Sequence, residues 1–275
     1  MIEHTWQDVD RYRFKFGENW ARFLTILDES RIQRAEESLC RMFTARSLKG
    51  RSFLDIGSGS GLFSLAARRL GASVCSFDYD EQSVGCTREL KIRYFPSDAD
   101  WRIEKGSVLD REYVVSLGKF DIVYSWGVLH HTGAMWHALE NACLPLHDSG
   151  SLCVAIYNDQ GRRSRYWVEI KKLYNRLPSP LRFLVLGPAF AAIWGPSALV
   201  DIMDGQPFRS WRGALLARGM SPWRDTIDWV GGYPFEVATP DKVFHFYHSR
   251  GFSLEAMTTR GRGHGCNEYL FRKRG

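Results

Sequence analysis

Five short runs of mainly apolar residues alternate with stretches whose apolar positions recur every three or four residues. The runs are Ser52–Ile56, Ser73–Phe77, Trp101–Lys105, Phe120–Ser125 and Ser151–Ile156. Strands of that kind are buried on both faces, which predicts a parallel sheet covered by helices on each side. The periodic stretches between them predict helices over Ser60–Leu70, from beyond Asp78 to about Tyr94, after Asp110, and over Met135–Leu146. Ahead of the first strand, Trp20, Phe23, Leu24 and Leu27 form one apolar stripe, and Ile32, Ala35, Leu39 and Phe43 another. Both predict amphipathic helices packed against the sheet, with Tyr12, Phe14, Phe16 and Trp20 placed where they could cover a ligand.

The strand–helix rhythm stops over residues 157–240, a large helical insert after the fifth strand. It opens with a basic helix over Arg162–Leu177 and a Pro-Ser-Pro break. From Phe183 to Val200 no residue carries a charge. Gly187-Pro188 and Gly195-Pro196 are expected to break that apolar run twice, leaving a buried lid or a dimer element rather than a membrane span. Regular structure is expected again from Pro240: a helix over Asp241–Arg250, a strand over Phe252–Thr258 and a last strand over Asn267–Lys273. Gly261, Gly263 and Gly265 lie between those two strands and predict a hairpin turn.

Composition narrows the class only a little. The 275 residues are 44% hydrophobic and 25% charged, as expected of a globular protein with an ample core. The six cysteines are scattered without a Cys-x-x-Cys pair, and Cys75 and Cys153 fall inside apolar runs. They read as core residues in a reducing cytoplasm, with no disulfide framework and no metal site. The N-terminus has neither the basic start nor the apolar run of a signal peptide. Charge is more informative by location. Residues 162–182 hold seven basic side chains against the single acid Glu169, an excess equal to the whole net charge of +6. Basicity confined to one segment argues against a nucleic-acid coat. Beside an apolar run it leaves open a peripheral membrane contact through 162–200, or a homodimer.

The candidate chemistry starts at Phe53-Leu-Asp-Ile-Gly-Ser-Gly-Ser-Gly61, a strand that runs into a glycine loop and then a helix. Such a loop presents backbone N–H groups and a helix N-terminus to a nucleotide-like ligand. No lysine follows Gly61, which excludes a Walker loop. A dinucleotide fingerprint needs a sixth-position glycine where Leu62 stands, which argues against an NAD(P)-linked reductase. The acid Asp55 precedes the loop and Asp78 closes the second strand.

In these features the chain resembles the class I S-adenosylmethionine (SAM)-dependent methyltransferases over about residues 51–156 and 241–273. The likeness continues at Gly106-Ser-Val-Leu-Asp110 and Asp121-Ile-Val-Tyr-Ser-Trp-Gly-Val-Leu-His-His131. It implies an α/β, Rossmann-like, seven-stranded and mostly parallel sheet with the last strand antiparallel. It also implies SAM as cofactor and S-adenosylhomocysteine as product. The implied cofactor contacts are Asp55, Gly57, Ser58 and Gly59 at the loop, and Asp78 and Tyr79 at the ribose. Ser107 and Val108 fall to the adenine, and Ser125 and Trp126 to the methionine moiety. The family usually has an acid where Ser107 stands, so the adenine amine falls to the Ser107 hydroxyl or a backbone carbonyl.

Methyl transfer is an in-line displacement governed by alignment, with a base needed when the acceptor is a hydroxyl. His130 and His131 follow the fourth strand, and an imidazole titrating near about 6.5 is a serviceable base. His131 matches a histidine of the similar stretch in ubiquinone-type O-methyltransferases, and is favoured. Tyr157, Asn158 and Asp159 leave the fifth strand at the same edge as candidate acceptor contacts. Arg260, Arg262 and His264 in the last turn could bind an anionic group. Asp225 and Asp228 share one helical face and offer a second pair of acids. The Pro-Pro-Tyr signature of amino methylation and the Pro-Cys of pyrimidine methylation are both missing. A small-molecule or lipid-linked hydroxyl is therefore the expected acceptor. N-methylation of a small molecule or peptide, an NAD(P)-linked reductase on the same fold, and a non-catalytic SAM-binding role are the alternatives.

Overall fold

The computed structural model describes residue 14 and residues 16–218, 221–261 and 265–274, with only the backbone for 214–218. Tyr12, Arg262 and His264 lie outside the described residues. The chain divides into two compact units. One comprises Lys15–Gln160 and Glu236–Gly275; the other contains Phe14 and Gly161–Phe235.

The first unit is a seven-stranded sheet ordered β3-β2-β1-β4-β5-β7-β6. Its strands are β1 (Ser52–Ile56), β2 (Ser73–Asp78), β3 (Trp101–Lys105), β4 (Phe120–Trp126), β5 (Leu146–Tyr157), β6 (Phe252–Thr258) and β7 (Cys266–Lys273). The five from β3 to β5 pair in parallel, with Leu54 level with Cys75 on one side and Val123 on the other. Strand β7 runs antiparallel between β5 and β6. Alternating side chains feed two cores, one on each face. Leu54, Ile56, Phe77, Val123, Leu152, Val154 and Ile156 enter the first. Phe53, Val74, Trp101, Ile122, Tyr124 and Cys153 enter the second. Two-sided burial explains why the central strands read as largely apolar runs, while the edge strand β3 carries Arg102, Glu104 and Lys105.

Helices cover the second core as the N-terminal stripes predicted. Helix α1 (Gly17–Leu24) packs on α4 (Glu81–Tyr94), and α2 (Glu29–Met42) packs on α3 (Leu62–Arg69). Phe23, Leu24, Ile32, Ala35 and Leu39 are all buried there. Helix α3 begins two residues later than expected because Gly61, at φ +80°, is left-handed and serves as its N-cap. The short α5 (Arg111–Ser116) follows β3, and α6 (Met135–Asn141) follows β4. Helix α6 stops well before Leu146, since Pro145 cannot continue a helix. The Pro145 carbonyl instead accepts from Phe120 N at 2.8 Å, so strand pairing begins earlier than the apolar run suggests.

In the second unit, α7 (Arg162–Arg176), α8 (Phe183–Met203), α9 (Arg209–Arg218) and α10 (Pro222–Gly231) surround a small core of Tyr174, Leu186, Ala189 and Val230. Two expectations fail here. Helix α8 runs unbroken through Pro188 and Pro196. The residue before each proline is glycine, whose missing Cβ removes most of the clash that normally ends a helix there. The helix is also largely exposed rather than buried: only 11% of its most apolar window is covered. Back in the first unit, α11 (Pro240–His248) precedes β6.

Candidate functional site

The glycine loop closes against β2. Phe77 O accepts from Gly57 N and Ser58 N at 2.8 and 3.1 Å. At Gly57 and Gly59, as at Gly61, only glycine fits. Gly57 sits at φ +75°, and a Cβ there would come within 2.3 Å of Val128 Cγ1. Gly59, at φ +56°, lies under the Trp20 indole, whose Nε1 would be 3.0 Å from an added Cβ. The Trp20 indole thus lies against the loop.

Asp78 ends β2 directly beside the loop. One carboxylate oxygen accepts from Gly59 N and the other from Asp80 N, each at 2.9 Å. Burial pushes this acid up to about 6, against the opposing pull of those two hydrogen bonds. Tyr79, next in the chain, is exposed. Asp80 caps α4 through Gln82 N and accepts from Gly17 N at 2.9 Å, so it ties α1 to the same strand end.

Asp55 lies deeper, on the Phe53 face of β1, and is nearly inaccessible. Its carboxylate receives the Ser64 hydroxyl. Ser64 in turn accepts from Ser76 Oγ at 2.7 Å, and Ser76 accepts from the Trp101 indole at 2.9 Å. A buried chain of donors therefore crosses from β3 through β2 and α3 to β1. Burial raises Asp55 to about 7; the Ser64 bond works against that rise, and the charge of Asp78 adds to it. Ser64 and Ser76 read in sequence as ordinary polar positions, so this relay escaped notice. Its only visible signal is two serines inside otherwise apolar core elements.

The other implied cofactor residues gather at the same strand ends. Gly106 N donates to Asp78 O at 3.0 Å, placing the third loop against the second strand. The Ser107 hydroxyl accepts from Leu109 N at 3.2 Å and shapes that loop. Val108 is buried, and its carbonyl accepts from Asn141 Nδ2 at 2.9 Å. Ser125 donates to Ile56 O at 3.0 Å, joining the ends of β4 and β1, while Trp126 is exposed.

His130 and His131 form a 3₁₀ turn just beyond β4. His130 is fully buried, with the Tyr157 ring centroid 4.0 Å away and that of His131 at 4.4 Å. His131 is only partly buried, between Phe16 at 5.0 Å and the Tyr157 edge at 5.5 Å. The structure thus groups His130, His131 and Tyr157. Asn158 turns elsewhere: it donates to Gly261 O at 2.6 Å and accepts from Asn267 Nδ2 at 3.0 Å, bracing the last turn. Asp159 N donates to Ala238 O at 3.1 Å, and Arg260 is exposed, its N–H held by Asn267 Oδ1 at 2.9 Å. Asp225 and Asp228 lie on α10, in the other unit.

Glu236 was missed by the sequence reading. Its carboxylate accepts from Met135 N at 2.9 Å and from Gly133 N, and its own N–H donates to His130 O at 3.0 Å. It caps α6 from outside and staples the histidine turn. Burial raises it to about 7. A signal existed, since α6 starts after Ala134, which cannot cap, so its first N–H groups need a distant acceptor.

A doubly covered sheet of this order, with a glycine loop after β1 and acids near the ends of β1 and β2, defines a Rossmann-like fold. A family model described as a methyltransferase domain matches residues 27–221, and the chain belongs to that family. The ubiquinone biosynthesis O-methyltransferase of Rhizobium rhizogenes is 27% identical over 162 residues, 55% of this chain and 63% of that protein. The chain thus spans less than two thirds of that relative's length. Among solved structures, a SAM-dependent methyltransferase from Anabaena variabilis aligns with TM-score 0.55 and 10% identity, over 97% of this chain and 95% of that one. The magnesium protoporphyrin IX methyltransferase of Synechocystis, solved with S-adenosylhomocysteine, aligns with TM-score 0.53 and 13% identity, over 88% and 83%. These likenesses establish the seven-stranded methyltransferase fold.

Proposed function

We propose that this chain binds SAM at the carboxyl ends of β1–β4 and transfers its methyl group to a hydroxyl of a small-molecule or lipid-linked acceptor. The observation that carries the reading is Asp78, a half-buried carboxylate held against the Gly59 backbone at the mouth of the loop. Two acids so close that their charges interact favour a ligand bringing hydroxyl donors and positive charge over one bringing phosphate. Gly57, Ser58 and Gly59 would let the methionine end approach the backbone. Asp78 and Tyr79 would take the ribose, Ser107 and Val108 would border the adenine, and Ser125 and Trp126 the methionine side.

When bound, SAM supplies a methyl group on a positively charged sulfur that departs as a neutral thioether. His131 would accept the proton of the acceptor hydroxyl as that oxygen takes the methyl group. Tyr157 and Phe16 fix the His131 ring, and Glu236 fixes the turn that carries it. Kinship with the O-methyltransferases supports oxygen as the acceptor atom, and we place the activity in the cytoplasm. Calorimetric titration should show SAM binding that Asp78→Ala weakens at least about tenfold, the loss of a charge-assisted hydrogen bond. Stabilisation by a dinucleotide and none by SAM would refute the reading in favour of a reductase. SAM binding without turnover of any phenolic or lipid-linked hydroxyl would leave a binding protein.

A further inference from the structure

Helix α8 has an apolar composition on all sides, and helices of that kind are normally covered all round. Only one side of α8 is. Leu186 and Ala189 pack with Tyr174 and Val230, and the Phe190 ring meets Trp211 and Trp223 with centroids 5.7 and 5.4 Å apart. The remainder is open: Phe183 is 61% exposed, Leu199 and Ile202 64%, and Met203 84%. At 21 residues this apolar surface is about 30 Å long. Exposed apolar surface of that extent marks an interaction site.

Charge indicates the partner. Helix α7, in the same unit, exposes Arg162, Arg163 and Arg165 together with the apolar Tyr166 and Leu173. The other basic residues are internally engaged. Lys171 is buried against the Trp229 and Phe235 rings, its ammonium donating to Trp229 O; Lys172 pairs with Glu169; Arg182 stacks on Tyr174. We propose that α7 and α8 form a docking surface for an anionic phospholipid bilayer. Helix α8 lies along the boundary between headgroups and acyl chains, and the α7 arginines meet the lipid phosphates.

Two observations set this occupant apart from the others. A membrane span would strip Leu186, Ala189 and Phe190 from the unit's own core and expose Asp201, which is buried while accepting from Ser210 N and Oγ at 2.7 and 2.8 Å. A symmetric contact between two copies would bring like-charged α7 arginines together.

The test is co-sedimentation of the whole chain with phosphatidylcholine vesicles, with and without phosphatidylglycerol, at low and high salt. Binding to the anionic vesicles should be at least about tenfold tighter than to phosphatidylcholine alone and should weaken with salt. The pair Leu199→Glu and Ile202→Glu alters only exposed positions and should lower binding at least about tenfold with an unchanged circular dichroism melt. No binding to either vesicle, or equal binding to both, overturns the proposal. So does a concentration-dependent dimer, seen by light scattering, that the same pair abolishes.

Discussion

Replacing Ser64 by alanine separates two jobs that Asp55 could do. Ser64 donates to Asp55 and accepts from Ser76, and every member of that chain is buried beyond the reach of water. The change removes one hydrogen bond to a charged group, worth about 1.5–3 kcal/mol, and leaves the buried Ser76 O–H without its acceptor at about 1–3 kcal/mol. The expected loss of about 3–5 kcal/mol is a large share of the roughly 5–15 kcal/mol that holds a typical domain together. Loss of the Ser64 bond also removes what restrains Asp55, so its carboxyl rises above about 7. The folded state already holds a proton on Asp55 at pH values where the unfolded chain has released it, so stability falls as pH climbs from the ordinary carboxylate range toward 7. In the variant that window extends upward, and the loss should be greater at pH 8 than at pH 6. Urea unfolding at both pH values, with Asp55→Asn as the control, reads this directly. Asparagine keeps an acceptor without a charge and should cost less than Ser64→Ala at pH 8. A stability loss below about 1 kcal/mol, accompanied by weaker SAM binding, would refute the relay and make Asp55 a ligand contact.

Gly57→Ala should cost about 1–2 kcal/mol for its left-handed backbone and about 1–3 kcal/mol for the Val128 clash. Adding Val128→Ala should restore the steric share alone, and urea unfolding that shows no recovery would contradict the close approach. Glu236→Gln should flatten the pH dependence of stability. The folded state keeps Glu236 protonated from its ordinary 4.5 up to about 7, so wild-type stability falls as pH rises through that range. At 1.36 kcal/mol per pH unit, the wild-type advantage over the variant should shrink by up to about 3 kcal/mol between pH 4.5 and 7. A constant difference in thermal melts across that range would exclude the raised carboxyl of Glu236.

What was legible in the sequence was local. Phe53–Ile56 and its neighbours announced themselves because burial on both faces leaves few polar positions, and Asp78 stood out because it ends such a run. Contacts made across long distances in the chain were not legible. Glu236 and Met135 are 101 positions apart, and nothing near either residue names the other. The same holds for Ser64, whose role exists only because Asp55 and Ser76 lie on adjacent strands at matching register. Helix α8 misled for another reason: a segment without charge reads as core, and composition cannot say whether the covering surface belongs to the same molecule. The start of β5 was missed because Leu146 pairs with Phe120 before an irregular stretch through Ser149, at φ +61°, where the apolar pattern lapses.

The antiparallel insertion of β7 has a consequence for synthesis. β6 is joined to the sheet only through β7, and β5 remains an open edge until residues 266–273 arrive. From Tyr157 to Cys266 the ribosome must add 109 residues, about 5–20 s of translation during which an apolar edge has no partner. Unpaired edges of that kind recruit other chains. Slow codons or heat stress in this interval should therefore favour aggregation of nascent chains, and the yield of soluble protein should depend on elongation speed between β5 and β7 more than anywhere upstream.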